Sequence, residues 1–225
     1  MSKAIDRNTL AAIWDMDGVI VDSGPYHRAA WQQVFRRRGV SFTPEDFRRH
    51  FGQRNDTIIR STLGQGIAPA ELEAIIRDKE AAFRDSIKGQ VRALPGALAL
   101  LRSLRENGFK LALASSAPPE NIGLLTGELG IRPCFHAIVA GPDVAEGKPS
   151  PQAFRLAARR LGVAPENCVV LEDAVAGVAA AKRAGMACLA VTNTHPRESL
   201  READLVVDSL AAVSVARVAG LLPQH

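Results

Sequence analysis

The chain has 225 residues, 47% apolar and 23% charged, with a formal net charge of +4 and 3 cysteines. That length supports a sizeable core in one large domain or two small ones, and the composition is that of a globular enzyme rather than a disordered chain. No apolar run is long enough to span a membrane, and Met1-Ser2-Lys3-Ala4-Ile5-Asp6-Arg7 lacks the apolar core of a signal peptide. Cys134, Cys168 and Cys188 are too widely spaced for a zinc motif and odd in number for a disulfide framework. A cytoplasmic protein is the expectation. Gly24 to Arg92 holds 13 Lys and Arg against 8 Asp and Glu, while the remainder is close to neutral. This basic segment lacks the alternation of aromatic and basic residues that nucleic-acid binding calls for, so nucleic acid is not an expected partner; with no spanning run, neither is a membrane. Its field suits a small anionic substrate.

In chain order, Leu10-Ala11-Ala12-Ile13-Trp14 is an uninterrupted apolar run and predicts a strand covered on both faces. Asp15-Met16-Asp17-Gly18 follows at its end. Helical spacing begins after Pro25 with Ala30, Trp31, Val34 and Phe35, and Gly39 closes that helix. Thr43-Pro44-Glu45-Asp46 opens a second helix, with Thr as cap, Pro at the first position and acids in the first turn. A third is predicted over 55–63 and a fourth over 69–87, with no strand between Asp22 and Ala93. From Leu94-Pro95-Gly96 onward, helix and strand alternate. Helices are predicted over 97–107, 119–129, 151–161, 174–184 and 210–222, and strands over 110–115, 137–140, 168–171, 188–192 and 205–207. The fold class is therefore α/β: a doubly wound parallel sheet with right-handed crossovers, into which an α-helical unit is inserted. The expected division is a core of 1–22 and 93–225 with an insert of 23–92.

In such a sheet, ligands bind beyond the carboxyl ends of the strands. The first strand ends in Asp15 and Asp17, two residues apart and so able to face one crevice. The second ends in Ser115-Ser116. The fourth ends in Glu172-Asp173, and Gly147-Lys148-Pro149 precedes its helix. Like carboxylates gathered this closely call for a cation or a shared proton. The oxygen donors suit a hard cation, Mg²⁺ above all, with a substrate phosphate completing its shell.

This order of motifs, Asp-x-Asp-Gly, a strand ending in Ser, Gly-Lys-Pro, then Glu-Asp, resembles the haloacid dehalogenase superfamily of phosphohydrolases over nearly the whole chain. The resemblance includes the place of that family's small α-helical cap. It implies a nucleophilic Asp15, forming an aspartyl-phosphate, and an Asp17 that serves as acid and base. It further implies Mg²⁺ on Asp15, Asp173 and the Asp17 backbone carbonyl, with Glu172 as ligand or support. Ser115 would bond a phosphoryl oxygen and Lys148 would offset charge. Asp at position 17 implies phosphate esters rather than carbon–halogen or carbon–phosphorus bonds.

Tyr26-His27 followed by Trp31 resembles the start of the cap in the β-phosphoglucomutase and sugar-phosphatase branch. The resemblance places Lys79 near His27 and Gly52-Gln53-Arg54-Asn55 in the substrate-specificity loop. Gly18, His27, Gly52, Arg54, Asn55, Lys79 and Ser116 are thus the expected substrate-binding residues. Ala117-Pro118-Pro119 stands where the mutase has donors for a second phosphate. A phosphatase acting on a small phosphorylated metabolite, a phosphosugar in particular, is the leading expectation, and a β-phosphoglucomutase the alternative. A catalytically silent binding module is disfavoured by the intact motif residues. A monomer or weak homodimer is expected.

Overall fold

A computed structural model describes residues 9–223. The stretch Met1–Arg7, read above as lacking a signal peptide, lies outside them, as does the beginning of the 1–22 segment.

Six strands form one parallel sheet: β1 (Ala11–Trp14), β2 (Lys110–Ala114), β3 (Ala137–Val139), β4 (Cys168–Glu172), β5 (Ala187–Val191) and β6 (Leu205–Val207), in the order β3-β2-β1-β4-β5-β6. β1 lies at the centre, between β2 and β4, with Ala12 beside Leu111 and Val169, and Trp14 beside Leu113 and Leu171. Alternation sorts the strand residues onto two faces. Ala12, Trp14, Leu111, Leu113, Val169 and Leu171 enter one buried cluster, while Ala11, Ile13, Ala112, Ala114, Cys168 and Val170 enter the other. Cys168 and Cys188 are core residues on this second face, and burial pushes the Cys168 thiol up to about 12. All three cysteines are free thiols.

Before the second strand come α1 (Gly24–Arg36), α2 (Pro44–His50), α3 (Asn55–Leu63) and α4 (Pro69–Ile87). Thr43 and Asp46 form a reciprocal capping box at the start of α2. Trp31, Val34, Phe35, Phe42, Ile58, Ile59 and Ile75 make a third buried cluster within these four helices. Ala30, Phe83 and Ile87, by contrast, join the cluster on the sheet. The chain leaves and re-enters the sheet region at one place, where Val21 bridges Ala93 antiparallel and the Leu94 amide donates to the Ile20 carbonyl at 2.8 Å.

The remaining helices are α5 (Ala97–Glu106), α6 (Pro119–Glu128), α7 (Gln152–Leu161), α8 (Val175–Ala184) and α9 (Val215–Ala219). The closing helix expected over 210–222 is corrected. A single 3-10 turn over Leu210–Ala212 is followed by extended Val213 and then the short α9. Ser209 caps the turn through the Ala211 amide and Ser214 caps α9 through the Arg217 amide, so two serine caps divide what the apolar spacing joined. Among the described residues no helix is long and apolar enough to cross a membrane.

Candidate active site

The ends of β1 and β4 lie side by side because the Asp15 amide continues their pairing, donating to the Leu171 carbonyl at 3.0 Å. This brings Asp15, Glu172 and Asp173 together, buried, with one carboxylate oxygen of each within 4.8 Å of the others. Buried Lys148 reaches the group from the preceding loop. Its Nζ donates to Asp15 Oδ1 at 2.7 Å and also to Glu172 Oε1. Glu172 Oε2 accepts from the amides of Asp173 and Ala174, both at 2.8 Å, so its carboxylate is fully engaged.

One ammonium does not balance three carboxylates. Burial pushes the Asp15 carboxyl up to about 7 despite Lys148, with Glu172 and Asp17 adding to the rise. Burial, then Glu172 and Asp15, hold the Asp173 carboxyl well above the usual range. Burial opposes charge on Lys148, yet Asp15 and Glu172 keep its ammonium above the ordinary lysine range. Asp173 Oδ2 accepts from the Thr194 hydroxyl, while its buried Oδ1 has no partner. An unpartnered buried carboxylate oxygen amid other hard oxygen donors is the chemistry of a site for a small divalent cation.

Gly18 closes this side. Its φ of +85° lies in the left-handed region, and a Cβ there would strike the Asp173 carboxylate and the Thr194 hydroxyl. Gly177 likewise leaves room for the Glu172 carboxylate.

Asp17 goes elsewhere. It stays close enough to Asp15 to raise that carboxyl, but the chain turns at Met16 to Val21 and the Asp17 carboxylate is not in the acidic cluster. Instead Asp17 Oδ1 accepts from the Ser23 hydroxyl at 2.5 Å and meets His27 Nε2 at 3.3 Å. Behind His27, Lys79 Nζ lies 2.9 Å from Nδ1. An ammonium can only donate, so Nδ1 accepts and Nε2 carries the proton that faces Asp17. Burial, then Lys79, lower the His27 pKa, which fits this neutral tautomer. Burial alone would raise Asp17, but the contacts with His27 and Ser23 hold it below the usual carboxylate range. The His27 ring stacks on Phe83 at 3.8 Å.

The other expected residues are distributed around this centre. Ser115 is buried beside the acidic group's strand end, and its Oγ accepts from the Ala117 amide at 3.1 Å. Ser116 Oγ donates to the Gly52 carbonyl at 3.0 Å, joining the β2 end to the α2–α3 loop. Asn55 donates to Glu80 at 2.7 Å. Arg54 donates to the carbonyls of Val144 and Ala145 at 2.8 and 3.2 Å. A cavity of about 50 Å³ lies between these parts, lined by Asp17, His27, Gly52, Asn55, Lys79 and Ser116 among others.

Four residues of the site carry no motif. Thr194 stands beyond the end of β5, in a loop without carboxylates or a motif to mark it. Ser23 is a single residue past the acidic loop. Glu80 and Asn121 lie in ordinary helices, and only the tertiary fold brings them within 2.5 Å of each other.

The family model of haloacid dehalogenase-like hydrolases matches residues 9–185. The chain belongs to this family. Among its relatives is validoxylamine A 7'-phosphate phosphatase of Streptomyces hygroscopicus subsp. limoneus, 33% identical over 218 residues, covering 90% of this chain and 94% of that one. The β-phosphoglucomutase of Bacillus subtilis is 35% identical over 204 residues, covering 88% of each. Among solved structures of haloacid dehalogenase-like proteins, β-phosphoglucomutase from Clostridium difficile superimposes with a TM-score of 0.86 at 27% identity, over 95% of this chain and 96% of that one. The sheet with its helical insert is thus a β-phosphoglucomutase-like architecture.

Proposed function

We propose that this chain is a Mg²⁺-dependent phosphatase that hydrolyses a small phosphate monoester, a phosphosugar in particular, through an aspartyl-phosphate on Asp15. The observation that carries the reading is the division of labour between two neighbouring carboxylates. Asp15 is locked by Lys148 inside the acidic group, whereas Asp17 is turned out to Ser23 and His27. A nucleophile must be held rigidly and ionised; Lys148 fixes Asp15 in place, and its charge opposes the rise that burial imposes on that carboxyl. A general acid must hold a proton for the leaving oxygen and later accept one from water. Ser23 and His27 orient Asp17 for that exchange and favour its ionised form, the one that takes a proton from water. Its Oδ2 has no hydrogen bond among the described residues and is left for the leaving oxygen. Ser115 and Lys148 face the charge of the transferring group.

Asp15, Asp173 and the Asp17 backbone carbonyl would hold the cation, with Glu172 supporting them through Lys148 and the loop amides. When bound, the cation offsets the negative charge of phosphoryl group and nucleophile and orients the two. Residues 23–92 act in this reading as a cap on a core of 1–22 and 93–225, moving about the paired strands near Val21 and Ala93. In this reading the cap swings away to admit the sugar phosphate and closes over the cavity between Asp17 and Ser116.

The β-phosphoglucomutase reading has one observation in its favour, the Lys79–His27–Asp17 chain. Against it, Ala117-Pro118-Pro119 offers no side-chain donor and Arg54 is committed to backbone carbonyls. The relatives' names include both activities. The test is phosphate release from a panel of sugar and polyol phosphates with Mg²⁺ and with EDTA. Release that requires Mg²⁺ and vanishes in Asp15→Asn is expected. Turnover that survives chelation or persists in Asp15→Asn overturns the mechanism.

A further inference from the structure

The leaving-group side of the site is the cavity beyond Asp17, and its charge is set by a residue that no motif marks. Glu80 is 4% exposed and takes three donors: Lys79 Nζ and Asn55 Nδ2 on Oε1, each at 2.7 Å, and Asn121 Nδ2 on Oε2 at 2.5 Å. Lys79, the one lysine or arginine lining the cavity among the described residues, is itself 2% exposed and divided between Glu80 and His27. Arg84, one turn along α4, donates to Asn121 Oδ1 at 2.9 Å and is not in the lining. The cavity therefore has two carboxylates, Asp17 and Glu80, against one ammonium that is already paired. Its remaining walls combine the aromatic residues Trp31, Phe47 and Phe51 with uncharged polar groups of Gln53, Asn55 and Ser116. Burying a second phosphate there would desolvate a dianion with no unpaired cation to receive it.

We infer that Glu80 is a specificity-determining positioning residue. By occupying Lys79, Asn55 and Asn121 it makes the cavity accept an uncharged polyol or sugar ring and refuse one that bears a second phosphate. The inference rests on the phosphatase reading and narrows its substrate class. Glu80 acts through Lys79, because without the carboxylate the ammonium would be free to meet an anion. The aromatic walls suit the apolar faces of a sugar ring, and the Gln53 amide, whose Oε1 already meets His50, keeps its NH₂ for a hydroxyl.

The experiment compares kcat/KM for matched pairs: fructose 1-phosphate with fructose 1,6-bisphosphate, and glucose 1-phosphate with glucose 1,6-bisphosphate. p-Nitrophenyl phosphate reports the underlying hydrolase. The native enzyme should favour each monophosphate by at least about tenfold, the order of effect of one unit charge in a partly buried site. Glu80→Gln, nearly isosteric, should shrink that preference about tenfold, and the Lys79→Met, Glu80→Gln double variant should restore it. A merely structural role would lower both members of a pair and leave their ratio unchanged, which would overturn the assignment to Glu80. Equal use of mono- and bisphosphates by the native enzyme would overturn the inference while leaving the phosphatase reading standing. Should p-nitrophenyl phosphate and all four sugars go unhydrolysed, the phosphatase reading itself fails. Calorimetric binding of the same pairs to Asp15→Asn then decides the cavity's preference separately, and bisphosphate binding as tight as monophosphate would overturn it.

Discussion

Replacing Asp173 by Asn should stabilise the metal-free protein while removing its response to Mg²⁺. Asp173 sits 1% exposed beside Asp15 and Glu172, and its Oδ1 has no partner. A buried polar oxygen left unpaired costs about 1–3 kcal/mol, and like charges at this range add to that. An Asn keeps the shape, can still accept from Thr194, and turns an NH₂ donor toward the Asp15 and Glu172 carboxylates in place of the unpaired oxygen, so the change relieves roughly 2 kcal/mol. For a chain of this size that corresponds to a rise of about 4–8 °C in melting temperature. Native protein should in turn gain about 2.7 kcal/mol from Mg²⁺ at a hundred times its dissociation constant, and the variant little of it. Thermal melts in EDTA and across a Mg²⁺ titration read both quantities. The variant should melt above the native protein in EDTA and fall level with or below it in saturating Mg²⁺. A variant that melts lower in EDTA, or that follows Mg²⁺ as the native protein does, would refute the reasoning.

Asp17→Asn should slow alkyl phosphates by about 10²–10⁴-fold but p-nitrophenyl phosphate far less, since nitrophenolate departs without a proton; steady-state kinetics on both esters should show the split. Phe83→Ala removes a fully buried ring on which His27 stacks, and urea unfolding should register a loss of about 3–5 kcal/mol. Gly18→Ala forces a side chain into the left-handed region and against the Asp173 carboxylate. The Mg²⁺ concentration for half-maximal activity should rise about 10–100-fold, with Asp173 displaced.

Where local chemistry alone decides, the sequence was a sufficient guide. Pro44, Pro69 and Pro119 open helices, Gly162 and Gly185 close them in the left-handed region, and α3 and α4 begin and end where spacing placed them. The strand ends at Asp15 and Glu172 were legible because continuous apolar runs stop there. Spacing misled where a polar side chain competes with it, as Ser214 does in splitting the expected terminal helix. Alternation misled at Asp17, because the left-handed Gly18 and the turn around it are not extended chain. Glu80 and Asn121 were out of reach for a different reason: each is an unexceptional helical residue until α4 and α6 are packed together. Lys79 beside His27 was accessible only through family resemblance, since 52 residues separate them.

The claim that most needs testing is that water, rather than a second sugar hydroxyl, takes the phosphoryl group from Asp15. Phosphorus NMR of β-glucose 1-phosphate with Mg²⁺ and a trace of glucose 1,6-bisphosphate follows both fates in one tube. Free phosphate should appear at least as fast as any glucose 6-phosphate. Rapid conversion to glucose 6-phosphate with negligible free phosphate would contradict the account and make the Lys79–His27–Asp17 chain part of a mutase.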